Sequence, residues 1–256
     1  MKKTKVLMTG AAGDIGSRIR PLMRHCCDFR AVDIKPVEDE QDTRTADITR
    51  LEQVVPLLDG IEAVMHMAIA PARDYSAADD LAQARLDVNV KGTYNVLEAC
   101  RRAGVPRVIY ASSVMVNWGY PAERYVSLRD PVCPGVLYGA TKYFGEVLGE
   151  MYHREFGLTV VCWRIGEPAD LTDPLVKQRK SKRDQGVMVS FTDIAQGFVQ
   201  ALQADVGFGV YHLVSDNPDG YCELTAATHD LGYEPCHRFT MDGIETLRRW
   251  PENGAG

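Results

Sequence analysis

The stretch Thr9-Gly10-Ala11-Ala12-Gly13-Asp14-Ile15-Gly16 decides the fold of this 256-residue chain. It follows the short apolar run Val6-Leu7-Met8 and opens a helix-like segment that ends near Met23. Glycines in this pattern allow a tight strand-to-helix turn, close approach of the backbone to a pyrophosphate, and close packing of the helix on the sheet. The free N–H groups of the first helical turn bind phosphate. We therefore predict a dinucleotide site whose phosphate-binding residues are Gly10, Gly13, Asp14, Ile15 and Gly16.

A carboxylate follows at the end of the second predicted strand, 29–33. Asp33 lies about 20 residues past Gly13, the spacing at which an acidic side chain accepts hydrogen bonds from the adenosine ribose hydroxyls. The same charge repels a 2′-phosphate, so the sequence favours NAD over NADP as cofactor, although Lys35 is a nearby cation that opposes this preference. The alternative is a structural glycine turn beside a surface aspartate.

Short β-rich runs alternate with amphipathic segments along the first two thirds of the chain. The predicted strands are 6–8, 29–33, 63–67, 107–110 and 159–163, and the predicted helices are 15–23, 81–102 and 138–156. Thr49-Arg50-Leu51-Glu52 is typical of a capping box that opens a further helix. Strands separated by helices predict an α/β fold with a Rossmann-type, doubly wound parallel sheet. We expect an NAD-binding Rossmann domain over 1–163.

Beyond residue 163 the alternation weakens, and we expect 164–256 to form a small C-terminal substrate-binding cap that is not an independent folding unit. Signals resume at 191–202, 210–214 and 224–231. A basic cluster at 177–183 has two interpretations: a solvated loop, or a lid whose cations attract an anionic substrate.

Charge and cysteine content exclude several classes of function. A net charge of -6 argues against nucleic acid or an anionic membrane surface as the main partner. No apolar run approaches the roughly 18 residues of a membrane span. Seven cysteines, an odd number without a Cys-x-x-Cys pair, indicate a reducing, cytoplasmic compartment. Cys236-His237 has no second pair at zinc spacing, so no metal site is predicted.

Two further motifs carry chemistry. Tyr138 and Lys142 are four residues apart on a predicted helix and share a face, where an ammonium lowers the pKa of a phenol so that it can act as a base. Ser112 and Ser113 follow the fourth predicted strand, at the edge of the sheet where ligands bind in open α/β folds. In isolation, each motif is also compatible with a purely structural role.

In this order, the three motifs resemble those of the short-chain dehydrogenase/reductase superfamily, in its extended, epimerase-like branch. The resemblance covers residues 4–168 and is nearest to uronate dehydrogenases, on the segments 111–113, 119–121, 137–146 and 164–166. It implies that Asp47 and Ile48 contact adenine, and that the pyrophosphate and ribose contacts include Met67, Ala68 and Ala70. It also implies cofactor or catalytic roles for Asn89 on the long central helix and for Ile165.

Substrate residues depart from the resemblance. Uronate dehydrogenases follow the serine pair with Asn-His where this chain has Val114-Met115, and they carry serines where it has Pro71 and Glu167. Lost hydrogen-bond partners change specificity by large factors. Besides Ser113, the candidate substrate contacts are therefore Val114, Met115, Glu167 and Arg73, the last as a partner for a carboxylate.

The leading hypothesis is an NAD-dependent dehydrogenase that transfers hydride between NAD and a secondary alcohol or hemiacetal carbon of a small sugar-like or sugar-acid substrate. Tyr138 would be the base, Lys142 would hold the nicotinamide ribose, Ser113 would orient the substrate oxygen and Asn89 would position Lys142. One alternative is a nucleotide-sugar epimerase or dehydratase that retains NAD, which usually needs a larger C-terminal domain. The other is a non-catalytic dinucleotide-sensing regulator, which would need neither Tyr138 nor Lys142.

The resemblance also implies a homodimer formed through the two long helices. The apolar residues available for such a face are Val90, Tyr94, Leu97, Phe144, Val147, Leu148 and Met151.

Overall fold

A parallel seven-stranded sheet organises the computed structural model, which describes residues 2–172, 182–218, 220–240 and 242–250. The strands are β1 Thr4–Thr9, β2 Cys27–Asp33, β3 Asp42–Thr45, β4 Ala63–His66, β5 Arg107–Ser113, β6 Thr159–Ile165, β7 Glu167–Ala169, β8 Met188–Ser190, β9 Phe208–Leu213, β10 His237–Thr240 and β11 Gly243–Thr246. The main sheet has the order β3-β2-β1-β4-β5-β6-β9, and its order reverses between β1 and β4. This is the doubly wound Rossmann-type arrangement, and the predicted fold class is confirmed.

Helices cover both faces of this sheet. They are α1 Asp14–Met23, α2 Leu51–Val54, α3 Ala78–Arg85, α4 Thr93–Ala103, α5 Leu137–Phe156, α6 Lys182–Gly186, α7 Phe191–Gln203 and α8 Thr225–Leu231. A π-helical stretch, Leu86–Gly92, joins α3 to α4, so the predicted central helix is interrupted at its middle. Among the described residues, no helix is long and apolar enough to cross a membrane.

Alternate residues of the strands enter two separate cores. In β1, Val6 and Met8 pack on the side of α1 and α7, whereas Leu7 packs on the side of α4. A fully buried aliphatic side chain contributes roughly 1.5–3 kcal/mol. The strands are apolar on both faces because both faces are covered by helices.

Strand β9, at 208–213 within the segment that we expected to form the cap, belongs to the main sheet. Strand β9 pairs with β6, and α7 packs on α1. The indole of Trp163 lies between these parts and donates to the Gly197 carbonyl at 3.2 Å. The strand pairs β7–β8 and β10–β11 lie outside the main sheet.

Candidate active site

A cavity of about 390 Å³ runs along the carboxyl ends of β1, β4, β5 and β6. This edge is where open α/β sheets bind their ligands. Most of the predicted site residues line the cavity: Gly10, Gly13, Asp14, Ile15, Gly16, Asp33, Asp47, Ile48, Met67, Ala68, Ala70, Arg73, Ser113, Tyr138, Lys142 and Ile165. Residues from separate segments of the chain therefore meet in one place.

The glycine turn forms a cradle that side chains would fill. Gly10 has φ +70°, and a Cβ there would lie 2.7 Å from the backbone nitrogen of Ala68. At Gly16, a Cβ would lie 2.5 Å from the Gly10 carbonyl oxygen. Helix α1 therefore begins close against the sheet and directs its first N–H groups into the cavity, as a pyrophosphate requires.

Asp33 is fixed at the other end of this cradle. Its Oδ2 accepts a hydrogen bond from the Ala12 N–H at 2.9 Å, and its Oδ1 accepts one from the Lys35 N–H at 3.0 Å. The Lys35 ammonium pairs with Asp74 at 3.1 Å, across the cavity. An oriented carboxylate beside a backbone cradle fits the adenosine ribose and pyrophosphate of NAD.

At the opposite end of the cavity, Lys142 is buried behind Tyr138. The Lys142 Nζ donates to the Ala111 carbonyl at 2.7 Å and lies 5.8 Å from the centroid of the Tyr138 ring. Burial lowers the pKa of Lys142 to about 7, and the negative charge of Glu146 partly opposes this shift.

Burial and two neighbouring polar groups act on the pKa of Tyr138. Burial raises the pKa of Tyr138 to about 12, and this shift is reduced first by the Arg85 guanidinium and then by a hydrogen bond with Ser113. The guanidinium carbon of Arg85 lies 5.3 Å from the centroid of the Tyr138 ring. No sequence pattern indicates Arg85, because it reaches the site only through the packing of α3 on α5.

Ser113 is held by a short turn, Val114–Asn117, that follows β5. Its Oγ accepts a hydrogen bond from the Met115 N–H at 3.2 Å, and the side chain faces the cavity. Helix α5 begins directly against this turn, since a Cβ on Gly139 would lie 2.2 Å from the Met115 carbonyl oxygen. This close approach brings Tyr138 next to Ser113.

Asn89 is buried and is not among the described residues that line the cavity. Its Oδ1 accepts from the Ala70 N–H at 2.9 Å and its Nδ2 donates to the Thr141 Oγ1 at 3.1 Å. Its described contact on α5 is with Thr141, the neighbour of Lys142, and an Asn89 role in positioning Lys142 stays a prediction. Asn89 therefore fastens the loop after β4 to the turn of α5 that carries Tyr138.

A buried histidine of β4, which no sequence motif indicated, joins β1 to the start of α4. The Thr93 hydroxyl donates to the Asn89 carbonyl at 2.6 Å, so it accepts from the His66 Nε2–H at 3.0 Å. The other ring nitrogen, Nδ1, then accepts from the Thr9 hydroxyl at 2.7 Å. Burial, with a smaller effect of the Lys142 charge, lowers the pKa of His66 to about 3, which keeps the ring neutral.

A buried ion pair supports the floor of the site and was likewise not predicted. Arg164 binds Glu146 through two hydrogen bonds of 2.9 and 2.8 Å, and it donates to the Asn117 Oδ1 at 2.9 Å. Ser112 donates to Glu146 at 2.5 Å. This network links β5, β6 and α5 one turn beyond Lys142.

Some of the predicted substrate residues line the cavity and others do not. Arg73 lines the cavity, with its side chain 63% exposed and 3.9 Å from Asp74. Val114 is buried in a neighbouring apolar cluster, and Val114, Met115 and Glu167 are not among the described lining residues. Of the basic cluster, Lys177, Arg179 and Lys180 lie outside the described residues. The Arg183 guanidinium stacks on Trp118, 3.9 Å from the ring centroid, and donates to the Tyr120 carbonyl.

A dinucleotide cradle and a Ser–Tyr–Lys group thus share one cavity of a doubly wound sheet. Together they define an NAD-dependent oxidoreductase of the extended short-chain dehydrogenase/reductase type. Among the described residues, no group of three or more His, Cys, Asp or Glu side chains could hold a metal ion.

The sequence of residues 6–169 matches the NAD dependent epimerase/dehydratase family, and the chain belongs to that family. It is 29% identical to the NAD-dependent glucose-6-phosphate dehydrogenase of Haloferax volcanii, over 93% of this chain and 96% of that protein. It is 30% identical to a uronate dehydrogenase of Pseudomonas syringae pv. tomato, over 90% of this chain and 81% of that protein. A solved structure of a mutated uronate dehydrogenase superposes with a TM-score of 0.78 and 27% identity, covering 91% of this chain and 82% of that chain. The family, the likeness to uronate dehydrogenases and NAD as cofactor are confirmed.

Proposed function

We propose that this protein is a dehydrogenase that oxidises the hemiacetal carbon or a secondary alcohol of a small anionic sugar and releases NADH. The observation that carries the proposal is the position of Ser113, Tyr138 and Lys142 at one end of the cavity whose other end is the Asp33 cradle. A substrate hydroxyl beside Tyr138 would lie within the same cavity as the cofactor.

The chemistry follows from the side chains. The glycine turn and Asp33 would hold NAD, which would supply the acceptor for the hydride of the carbinol carbon. Tyr138, in its phenolate form, accepts the proton of the substrate hydroxyl, and a positioned general base contributes about 10²–10⁴-fold to the rate. Ser113 donates a hydrogen bond to the same oxygen and orients it. Lys142 donates one hydrogen bond to the Ala111 carbonyl. Its remaining protons would bind the nicotinamide ribose, at the end of the cavity opposite to Asp33.

An anionic sugar is supported by two observations. The relatives described above are named for glucose 6-phosphate and uronate, both of which are anionic sugars. Arg73 lines the cavity with a largely exposed guanidinium, which can bind a carboxylate or phosphate. The substitutions at Pro71, Val114, Met115 and Glu167 favour a sugar other than a uronate.

The test is a screen of aldoses, uronates and sugar phosphates with NAD, read as NADH absorbance. We expect net NADH formation with at least one anionic sugar, and we expect Tyr138→Phe to reduce kcat by about 10²–10⁴-fold while NAD still binds. Isomerisation of a nucleotide sugar without net NADH, by protein that retains NAD through purification, would support the epimerase alternative. Unchanged turnover in Tyr138→Phe would overturn the catalytic assignment.

A homodimer is also proposed, through α4, α5 and the π-helical stretch. Several apolar side chains of these elements are 38–47% exposed: Leu86, Tyr94, Tyr143, Phe144 and Val147. Large exposed apolar side chains on neighbouring elements are typical of an interaction surface. Leu97, which we expected on this face, is buried in the core beside α4, and Leu148 and Met151 also pack against that core. A reducing, cytoplasmic location is proposed on the cysteine pattern of the sequence.

A further inference from the structure

Resting on the proposed function, we propose that Arg85 is a positioning residue that stabilises the phenolate form of Tyr138 and holds its ring against Ser113. Neither the motif Tyr138–Lys142 nor any other sequence pattern assigns a role to Arg85. The inference goes beyond the Ser–Tyr–Lys group, because it adds a cation from a different helix.

The geometry carries the inference. Arg85 is the last residue of α3, and its guanidinium carbon lies 5.3 Å from the centroid of the Tyr138 ring, within the range of a cation–π interaction. The side chain is partly buried, and its Nε is buried without a hydrogen-bond partner among the described residues. A desolvated guanidinium acts on a neighbouring ring more strongly than a hydrated one.

Lys142 cannot replace Arg85 as a permanent charge. It lies 5.8 Å from the centroid of the Tyr138 ring and nearer to the Tyr110 ring, at 5.0 Å, and its own pKa is lowered to about 7 by burial. As pH rises toward the range in which a phenol ionises, the protein without cofactor loses the Lys142 charge. A guanidinium stays protonated throughout, so Arg85 still stabilises the phenolate there.

The other titratable groups near Tyr138 do not supply a second permanent cation. From β4, His66 is neutral, because its pKa is lowered to about 3 by burial. From β5, burial holds the pKa of the Tyr110 phenol well above its ordinary value, so it is also neutral. From α5, Glu146 is paired with Arg164 and contributes a charge of the opposite sign.

The experiment compares Arg85→Gln, Arg85→Lys and Arg101→Gln with the unaltered protein. Arg101 is a matched control, since its guanidinium lies 5.1 Å from the centroid of the Phe156 ring, in another part of the structure. The first readout is an ultraviolet difference titration of the proteins without added NAD, in which the Tyr138→Phe spectrum is subtracted to isolate the tyrosinate of residue 138. The second is the pH profile of kcat/KM.

We expect Arg85→Gln to move both midpoints upward by about one pH unit, since an opposite charge at this distance shifts a pKa by about one to three. At a pH below both midpoints, the rate then falls about tenfold. Arg85→Lys should recover part of the shift, and Arg101→Gln should leave both midpoints unchanged.

Equal midpoints in Arg85→Gln and the unaltered protein would overturn the proposal. A fall in kcat/KM by the same factor at every pH would also overturn it, because the midpoint of the pH profile would then be unchanged. Circular dichroism and NAD affinity report whether Arg85→Gln is folded, and Arg85→Lys keeps the comparison available if it is not. The absorbance titration needs no substrate. It therefore separates a failure of the Arg85 proposal from a failure of the proposed function, in which no sugar yields NADH.

Discussion

Lys142 has a charge that depends on its burial. The ammonium is enclosed between β5 and α5, and the loss of hydration lowers its pKa to about 7, although Glu146 one turn away favours the charged form. Its hydrogen bond to the Ala111 carbonyl satisfies only one of its protons. In the proposed reaction, the remaining protons and the charge become available to a bound ribose, so cofactor binding should raise the protonated fraction of this side chain.

Because His66 is buried and neutral, we expect the free energy of unfolding to decrease in acid. Its pKa is about 3 in the folded protein and 6.5 as the reference value, so between these values the unfolded chain binds a proton that the folded chain does not. Stability from this group is complete above pH 6.5 and is lost as pH falls toward 3. The free energy of unfolding should fall between pH 7 and pH 5 in the unaltered protein. We expect this fall to be about 2 kcal/mol smaller in His66→Gln, whose side chain keeps a donor and an acceptor but does not titrate.

Urea unfolding at the two pH values measures this difference. An equal loss of stability with acid in His66→Gln and the unaltered protein would show that other groups carry the acid sensitivity.

At the scale of elements, the π-helical stretch Leu86–Gly92 interrupts the central helix and carries Asn89. Such stretches are rare and occur frequently at functional sites. Here Asn89 lies within it and reaches both the Ala70 N–H and the Thr141 hydroxyl. The apolar periodicity of 81–102 does not distinguish a π-helical stretch from a continuous α-helix, so the sequence could predict the helix but not its interruption.

At Thr49 the sequence predicted a local feature that the structure does not contain. The predicted capping box is wrong: α2 begins at Leu51, and its N-cap, Arg50, makes no side-chain capping bond. The Thr49 N–H donates instead to the Asp47 carboxylate at 2.9 Å. A local turn at Asp47, which lines the cavity, is present in place of the helical cap.

The contact between α5 and the turn after β5 predicts the effect of one methyl group. In Gly139→Ala, the new Cβ would meet the Met115 carbonyl, so the first turn of α5 must move away and carry Tyr138 from Ser113. Overpacking of this kind costs about 1–3 kcal/mol. We expect kcat to fall at least about tenfold, with a smaller change in NAD affinity, because misplacing a reacting group is costly.

Steady-state kinetics and NAD titration of Gly139→Ala provide the measurement. Gly149→Ala is the control on the same helix, where the Cβ would meet the side chain of Val160 rather than backbone. It should reduce stability but leave kcat within about twofold. Equal kcat in Gly139→Ala and the unaltered protein would contradict the role assigned to this contact.

At the scale of the whole molecule, one sheet serves two cores and one site. Residues 4–9 form the first strand along the chain, which lies inside the sheet, and residues 208–213 form the strand at one edge of it. Side chains of both strands pack in the core that contains Trp163, so distant parts of the chain share that core. The cofactor cradle lies where the strand order reverses, between β1 and β4. The strands that carry Ser113 and Ile165 lie on one side of this point and the strand that carries Asp33 lies on the other.

The exposed apolar face of α4 and α5 predicts the oligomeric state. Phe144→Glu places a charge at the centre of that face, and burial of an unpaired charge in an interface is strongly unfavourable. We expect the unaltered protein to be a dimer by light scattering and Phe144→Glu to be a monomer with a native circular dichroism spectrum. Leu247→Glu, at an exposed position on the β10–β11 side, is the control and should stay dimeric. A monomeric unaltered protein would contradict the proposed dimer.

The sequence by itself determined the parallel sheet, the family and most of the cavity. Its local patterns are sufficient for these because a glycine turn after a strand, an acid at the next strand end and a tyrosine four residues before a lysine each record one short-range constraint. Their meeting at one sheet edge then follows from the parallel topology. For the same reason, the sequence alone was sufficient to predict that Gly10, Asp33 and Lys142 line one cavity.

Only the tertiary structure decided which groups set the electrostatics of the site. Arg85, His66 and the Glu146–Arg164 pair act on it through contacts between elements that are distant in sequence, and no local period records such contacts. Burial likewise depends on how elements pack, and it determines that Lys142 titrates near neutrality while His66 stays uncharged. Charge and hydration are properties of the assembled cavity, whereas the sequence specifies only the groups that can enter it.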